Sequence, residues 1–209
     1  MIPVTIKAIR YIPNATVSLC HLLGAPEETP SLALITTDCD DATYIALDEA
    51  TKAADVTVCY GNSFYAGAAN ASTPNAGEVI GILCGKNPGS VHSGMEAVRR
   101  ALEHLGFEES NAVPFLAHTV SSCGSFLAAE ADVPIGSALA YLIAPPMESM
   151  VGLDEALKAA DVKLCKGYTP PSPTNFGGGL LTGTQSACAI ACQAFSDTVK
   201  KIASRPIEE

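Results

Sequence analysis

Acidic side chains gather in one stretch of the sequence, TTDCDDATY, where Asp38, Asp40 and Asp41 follow an apolar run and precede an Ala-rich one. Carboxylates at such a junction have two uses. One is to cap the amide hydrogens that open a helix, where a negative charge also meets the positive end of the helix dipole. The other is to hold a protonated amine, which calls for a second carboxylate from elsewhere in the chain. Glu78, just after a long polar loop, is the natural partner. Its counterpart in a second copy of the same sequence pattern is Gly178, so the charge is not demanded by the repeated framework.

Other side chains invite other chemistry and carry it less far. Cys123 lies near His118 in HTVSSCGS, and a Cys-His pair can generate a thiolate, but the sequence supplies no orienting third group and no signature around either residue. The run GGGLLTGTQ (177–185) has the glycines of a phosphate loop without the lysine that such a loop needs after Gly183. Eight cysteines contain no C-x-x-C pair, and in a reducing compartment they are expected as free, small, buried side chains that hold no zinc. Cys59 and Cys165 occupy the same place in the two copies, inside expected strands, which suits packing.

The elements that must position the acidic residues are repeated. LDEATKAADVTVCYG (47–61) returns as LDEALKAADVKLCKG (153–167), and SLALITTDCDDATYIALDEA (31–50) aligns without a gap to SALAYLIAPPMESMVGLDEA (137–156). A repeat of about half the chain means two copies of one structural unit rather than a stack of short repeats. In each copy a short apolar run (32–35 or 138–143) reads as a buried strand. The Ala-rich segment after it reads as a helix ending at Asp55 or Asp161, and the β-branched residues that follow start a second strand.

Around this core the copies share further elements. Residues 4–9 alternate as a strand, and 15–23 make a short helix stopped by Gly24. Their equivalents are 114–120 and a small-residue helix at 124–129. Long loops, GNSFYAGAANASTPNAG (61–77) and GYTPPSPTNFGGG (167–179), interrupt each copy; they carry Phe64, Tyr65, Tyr168 and Phe176 among small residues, and loops of this length in a compact domain tend to be functional. A strand at 78–83 precedes Asn87-Pro88, a cap and first-turn pair that opens a helix buried through Val91, Met95, Val98 and Leu102. The second copy offers Leu180-Leu181 and a helix from about Thr184, and the tail from Arg205 to Glu209 is expected to fray. We therefore expect an α+β fold of two tandem domains, 1–110 and 111–209, each a mainly antiparallel sheet with helices on one face.

Composition narrows the function. With 16% charged and 48% hydrophobic residues, much of the surface is expected to be interface. A net charge of −10 disfavours nucleic acid and anionic membranes and favours small cations. The N-terminal MIPVTIKAIRYIPN lacks a signal-peptide core and no run is long enough to span a bilayer, so a cytosolic location is expected.

Taken together, SLALI, the acidic TTDCDDATYIALDEATKAADV, the loop SFYAGAA, NAGEVI, the distal AYLIAPP and the terminal LTGTQSACAIACQAF resemble bacterial microcompartment shell proteins with two fused BMC domains, in the circularly permuted group of the ethanolamine-utilization shell. The resemblance covers nearly the whole chain. It implies two ferredoxin-like units, a homotrimer shaped like a hexamer, and tiling with other shell proteins into the shell of a microcompartment. It implies gated pores for substrate and cofactor passage, with cobalamin as one molecule that crosses, no catalytic residues and no bound cofactor. It places ethanolamine at a small acidic pore between the two domains, on Asp40, Glu78 and Phe107, and sets Ser63, Phe64, Tyr65 and Tyr168 in the pore loops. The rival reading is a soluble small-cation or metabolite-binding protein without shell assembly, which would be a monomer in solution; a Cys-dependent enzyme is the third.

Overall fold

The computed structural model describes residues 1–64, 73–170 and 172–207. They form two compact units, one of residues 3–106 with 124–127, the other of residues 1–2, 107–123 and 128 onward. A two-residue strand β1 (Ile2–Pro3) precedes the first repeat, which runs β2 (Ile6–Ile12), α1 (Val17–Leu22), β3 (Ser31–Thr37), α2 (Asp40–Ala53), β4 (Thr57–Ser63), β5 (Val79–Gly85) and α3 (Pro88–Leu102). After β6 (Gly106–Ser110) the second repeat gives β7 (Val113–Val120), α4 (Ser125–Ala131), β8 (Ala138–Ala144), α5 (Pro146–Ala159), β9 (Val162–Tyr168), β10 (Gly177–Gly183) and α6 (Gln185–Ser204). The first sheet has the order β2-β3-β5-β4 and the second contains β7-β8-β10-β9, so the duplication read from sequence is a duplication of topology. Every pairing within these two sets of four strands is antiparallel.

Small residues let helices lie close on each sheet. A Cβ at Gly81 of β5 would fall 2.5 Å from a Leu47 methyl of α2, and one at Gly152 of α5 would fall 2.8 Å from the Phe195 ring of α6. Ala42, Ala46 and Ala50 of α2 are fully buried, the use that its Ala-rich sequence suggests. Truncating a core residue such as Leu47 to alanine would cost about 2–5 kcal/mol, because the close-packed surroundings cannot collapse onto the space. On the opposite face of the first sheet Leu32, Ile82 and Cys84 pack with Ala15, Cys20 and Ala25, so α1 and its flanking loops cover what α2 and α3 leave open. The second sheet builds its core from Phe115, Ala140, Leu142 and Leu181 against Cys188, Ala191, Phe195 and Val199 of α6.

The expected helix starts are present. Asn87 accepts the Ser90 amide hydrogen at 2.9 Å with Pro88 in the first turn, and Thr184 accepts that of Ala187 at 3.1 Å. The short first helix is trimmed to Val17–Leu22 by Thr16, which is its N-cap. Strand β6 has no forerunner in the sequence reading. It pairs with β7 through a two-residue turn, Asn111 (φ 49°) and Ala112 (φ 63°), of the kind that Asn-Gly normally signals. Alanine at a left-handed position gives no such signal.

Candidate functional site

The acidic cluster sits where β3 hands over to α2, and its members diverge. Asp38 does not cap the helix. Its Oδ1 accepts the Thr5 amide hydrogen at 2.7 Å and its Oδ2 pairs with Lys7 Nζ at 3.1 Å, joining the end of β3 to the start of β2. Burial works against its charge, but the hydrogen bonds from Thr5 and Lys7 outweigh it and hold Asp38 below the ordinary aspartate range. The helix N-cap is Cys39, and Thr37 closes the turn: its Oγ1 accepts the Cys39 amide hydrogen at 3.1 Å and bonds Thr43 Oγ1 at 2.7 Å. No side chain at the N-cap position bonds a helix amide, so the capping foreseen for an aspartate there is not made. Asp40, the first residue of α2, is 8% exposed, and its Oδ1 accepts the neighbouring Asp41 amide hydrogen at 3.0 Å.

Glu78 reaches this cluster through a turn that only glycine allows. Gly77 has φ +67°, and a Cβ there would lie 1.9 Å from the Thr37 carbonyl oxygen. The Glu78 amide donates to that same oxygen at 2.7 Å, and its own carbonyl accepts the Phe64 amide hydrogen at 2.9 Å. Because Thr37 pairs with Val79, Glu78 falls opposite Asp38. Burial raises the Glu78 pKa, and the charges of Asp40 and Asp38 raise it further, against a smaller opposing effect of Lys7. Asp38 and Glu78 both feel the charge of Lys7, and of the two it is Glu78 whose carboxyl is held above its ordinary range. A cation entering here would oppose that effect.

The repeat register refines one sequence reading. Ile143 pairs with Gly178 where Thr37 pairs with Val79, so the residue equivalent to Glu78 is Gly177 rather than Gly178. Both are glycines, and the asymmetry of charge between the copies stands.

Of the remaining site candidates, Ser63 ends β4 and bonds the Tyr44 hydroxyl at 2.7 Å, one helical turn beyond Asp40. Phe64 is half-buried and tied to Glu78 through its amide. Tyr65 lies outside the described residues. Phe107 and Tyr168 belong to the second unit. There Phe107 meets the edge of Phe176 at 5.4 Å between centroids, and Tyr168 donates to Glu130 Oε1 at 3.5 Å, an oxygen that also pairs with Lys166. Lys7 was missed in the sequence reading; its signal was a single charge in the alternating strand VTIKAI, which nothing local connects to residue 38.

The alternative chemistries find little support in the geometry. Cys123 is 1% exposed, with its thiol directed to the Pro134 carbonyl at 3.7 Å. Among the described residues no group of His, Cys, Asp or Glu could hold a metal ion, and no helix is long and apolar enough to cross a membrane.

Two copies of a four-stranded antiparallel sheet, β2-β3-β5-β4 and β7-β8-β10-β9, each covered by a pair of long helices, make a tandem α+β protein. A BMC domain model matches residues 31–114, beginning at β3 and leaving β2 and α1 ahead of it. The chain is 50% identical to the bacterial microcompartment shell protein EutL of Clostridium perfringens, covering 97% of this chain and 95% of that one, and 46% identical to EutL of Escherichia coli, covering 98% and 95%. The crystal structure of the ethanolamine utilization protein EutL from Leptotrichia buccalis superposes with a TM-score of 0.95 at 51% identity, over 100% of this chain and 98% of that one. The chain belongs to the EutL family of bacterial microcompartment shell proteins.

Proposed function

We propose that this shell protein assembles as homotrimers that tile with other shell proteins, and that it binds ethanolamine at the acidic site of Asp40 and Glu78, with Phe107 as a third contributor. The role is structural and non-catalytic, in the shell of a compartment for ethanolamine utilization, with the two BMC domains at 1–110 and 111–209. The observation that carries the ligand is the placement of Glu78, whose carboxyl is raised by burial and by Asp40 and Asp38 while its backbone carbonyl holds Phe64. An ammonium group fits the chemistry: it donates to carboxylates and brings positive charge beside Glu78, whose ionised form the charges of Asp40 and Asp38 disfavour. Because the Phe64 amide is anchored on Glu78, ligand bound to the carboxylate biases the loop of Ser63, Phe64 and Tyr65 toward one state, to the extent that affinity differs between states. Tyr168 lines the equivalent loop of the second copy, and passage of substrate or of a cofactor such as cobalamin is gated by these loops.

The test has two parts. Sedimentation should give a mass near three times 21.5 kDa, and a monomer at high concentration would overturn the assembly. Calorimetric titration with ethanolamine should show binding that Glu78→Gln weakens by about 1–3 kcal/mol, the loss of one charge-assisted hydrogen bond, with the mass unchanged. Equal affinities would remove Glu78 from the site.

A further inference from the structure

Three cysteines meet in the first unit, on the face of its sheet opposite α2 and α3. Cys20 of α1 and Cys84 of β5 are buried in one apolar cluster, and Cys59 of β4 packs against it. Between β4 and β5, Thr57 stands opposite Cys84 and Val58 opposite Leu83, and the register then shifts so that Tyr60 stands opposite Ile82. Cys59 is the extra residue of this bulge. An unbroken ladder would set it level with Ile82; the bulge draws it back toward Cys84. Its Sγ lies 3.6 Å from the Ile82 carbonyl oxygen, and its thiol hydrogen-bonds the Cys84 sulfur.

The two sulfurs have unlike surroundings. Cys84 is fully buried and receives the Cys59 thiol, with Thr57 Oγ1 at 3.0 Å and the Thr29 hydroxyl as further partners. These hydrogen bonds outweigh burial and bring the Cys84 thiol down to about 6, whereas the bond to Cys84 and burial push Cys59 up. The pair gives up one proton readily and shares the other. Cys59 is half-buried and Thr57 exposed, so this proton-poor pair stands at the edge of solvent. A thiolate with a second thiol in reach is the arrangement that oxidants convert reversibly.

We infer that Cys59 and Cys84 form a redox modification site, a dithiol that hydrogen peroxide converts to a disulfide stapling β4 to β5. As the shared proton passes to Cys84, the Cys59 thiolate attacks one peroxide oxygen; the O–O bond breaks, hydroxide departs and Cys59 becomes a sulfenic acid. The Cys84 sulfur then attacks the Cys59 sulfur. An S–S bond forms, the S–O bond breaks, and the hydroxyl leaves as water with the Cys84 proton. Two thiols have given two electrons to one peroxide. The strand so fixed is the one most easily detached, since β4 is an edge of its sheet, paired with β5 alone among the described residues, and carries the bulge. It ends at Ser63, beside the Phe64 amide that bonds Glu78. The consequence for the loop rests on the gating proposed above; the disulfide itself does not.

The full chain is treated with hydrogen peroxide, its remaining thiols are alkylated in denaturant, and it is cut with trypsin, which leaves Cys59 and Cys84 and no other cysteine in peptide 53–86. The expected result is that this peptide loses both alkylation sites together, with two hydrogens of mass, at doses at least about tenfold below those that modify the peptides of Cys123 and Cys165, and that dithiothreitol restores both sites. Cys59→Ser should leave Cys84 open to alkylation at those doses. Amides 57–63 should exchange roughly tenfold more slowly in oxidised than in reduced wild type. A peptide 53–86 that keeps both sites, or a Cys59 joined instead to Cys20 and so to peptide 11–52, overturns the site. A disulfide that forms while amides 57–63 exchange as before overturns the staple. None of these readouts uses ethanolamine, so a failure of the ligand reading and a failure of this site are told apart.

Discussion

Replacing Asp48 by alanine removes two acceptors from a place that water does not reach. The side chain is fully buried and accepts the Gly124 and Leu127 amide hydrogens at 2.6 and 2.8 Å. A buried amide left without a partner costs about 1–3 kcal/mol, so two give roughly 2–6 kcal/mol before any relaxation. Fraying of the short helix α4 would let water reach one of them, and we expect a net loss of about 3 kcal/mol, or roughly 6–12 °C in Tm for a chain of this length. Asp48→Asn keeps one carbonyl oxygen but turns an NH2 group toward the other amide, and should lose about half as much. The assay is urea and thermal unfolding at one fixed protein concentration, because an oligomer's stability depends on concentration. Glu155→Ala, an exposed neighbour of Asp154, serves as the control and should stay within about 0.5 kcal/mol of wild type. If Asp48→Ala matched that control, the buried carboxylate would not be holding residues 124–127 and the reasoning would fail.

Gly77→Ala should be severe, at roughly 3 kcal/mol or more, since the new Cβ meets a backbone oxygen at 1.9 Å and the positive φ adds strain; ethanolamine binding should disappear with it as Glu78 is displaced. Calorimetry finding normal binding in a folded Gly77→Ala protein would refute that. Titration with pH separates the two carboxylates. Glu78 is raised above 4.5, so its stability contribution is present below the unfolded value and is lost as pH rises through the folded one; ammonium binding runs the other way and weakens as pH falls through that raised value. Glu78→Gln should therefore flatten the binding profile and be at least as stable as wild type at pH 7, and a less stable variant there would contradict the assignment. Asp38 is lowered below 3.8, so its stabilisation is present above that value and is lost as pH falls through the folded pKa; unfolding of Asp38→Asn should lack this acid limb.

Much of the framework was legible from residue types alone. The duplicated LDEA segments, the Ala-rich helices and the Asn87-Pro88 and Thr184 helix starts are local patterns whose period and cap chemistry act over a few residues, and the structure repeats them in the same order. The Asp40 and Tyr44 positions share a helix face by simple spacing. The pairing of Glu78 with the acidic cluster was suggested by the asymmetry between copies, though its counterpart is Gly177.

What tertiary structure decided were the partners that lie far apart in sequence. Asp38 looked like a cap and is a tie to Thr5 and Lys7, because the antiparallel neighbour of β3 happens to present a lysine there. Strand β6 needed a turn through Ala112 that no local preference announces. Above all, Asp48 and Asp154 stand in the same motif, yet one is sealed under residues 124–127 while the other is exposed. A sequence motif specifies the hydrogen bonds that a side chain can make; whether an amide stands opposite to receive them depends on which surface the folded chain brings there.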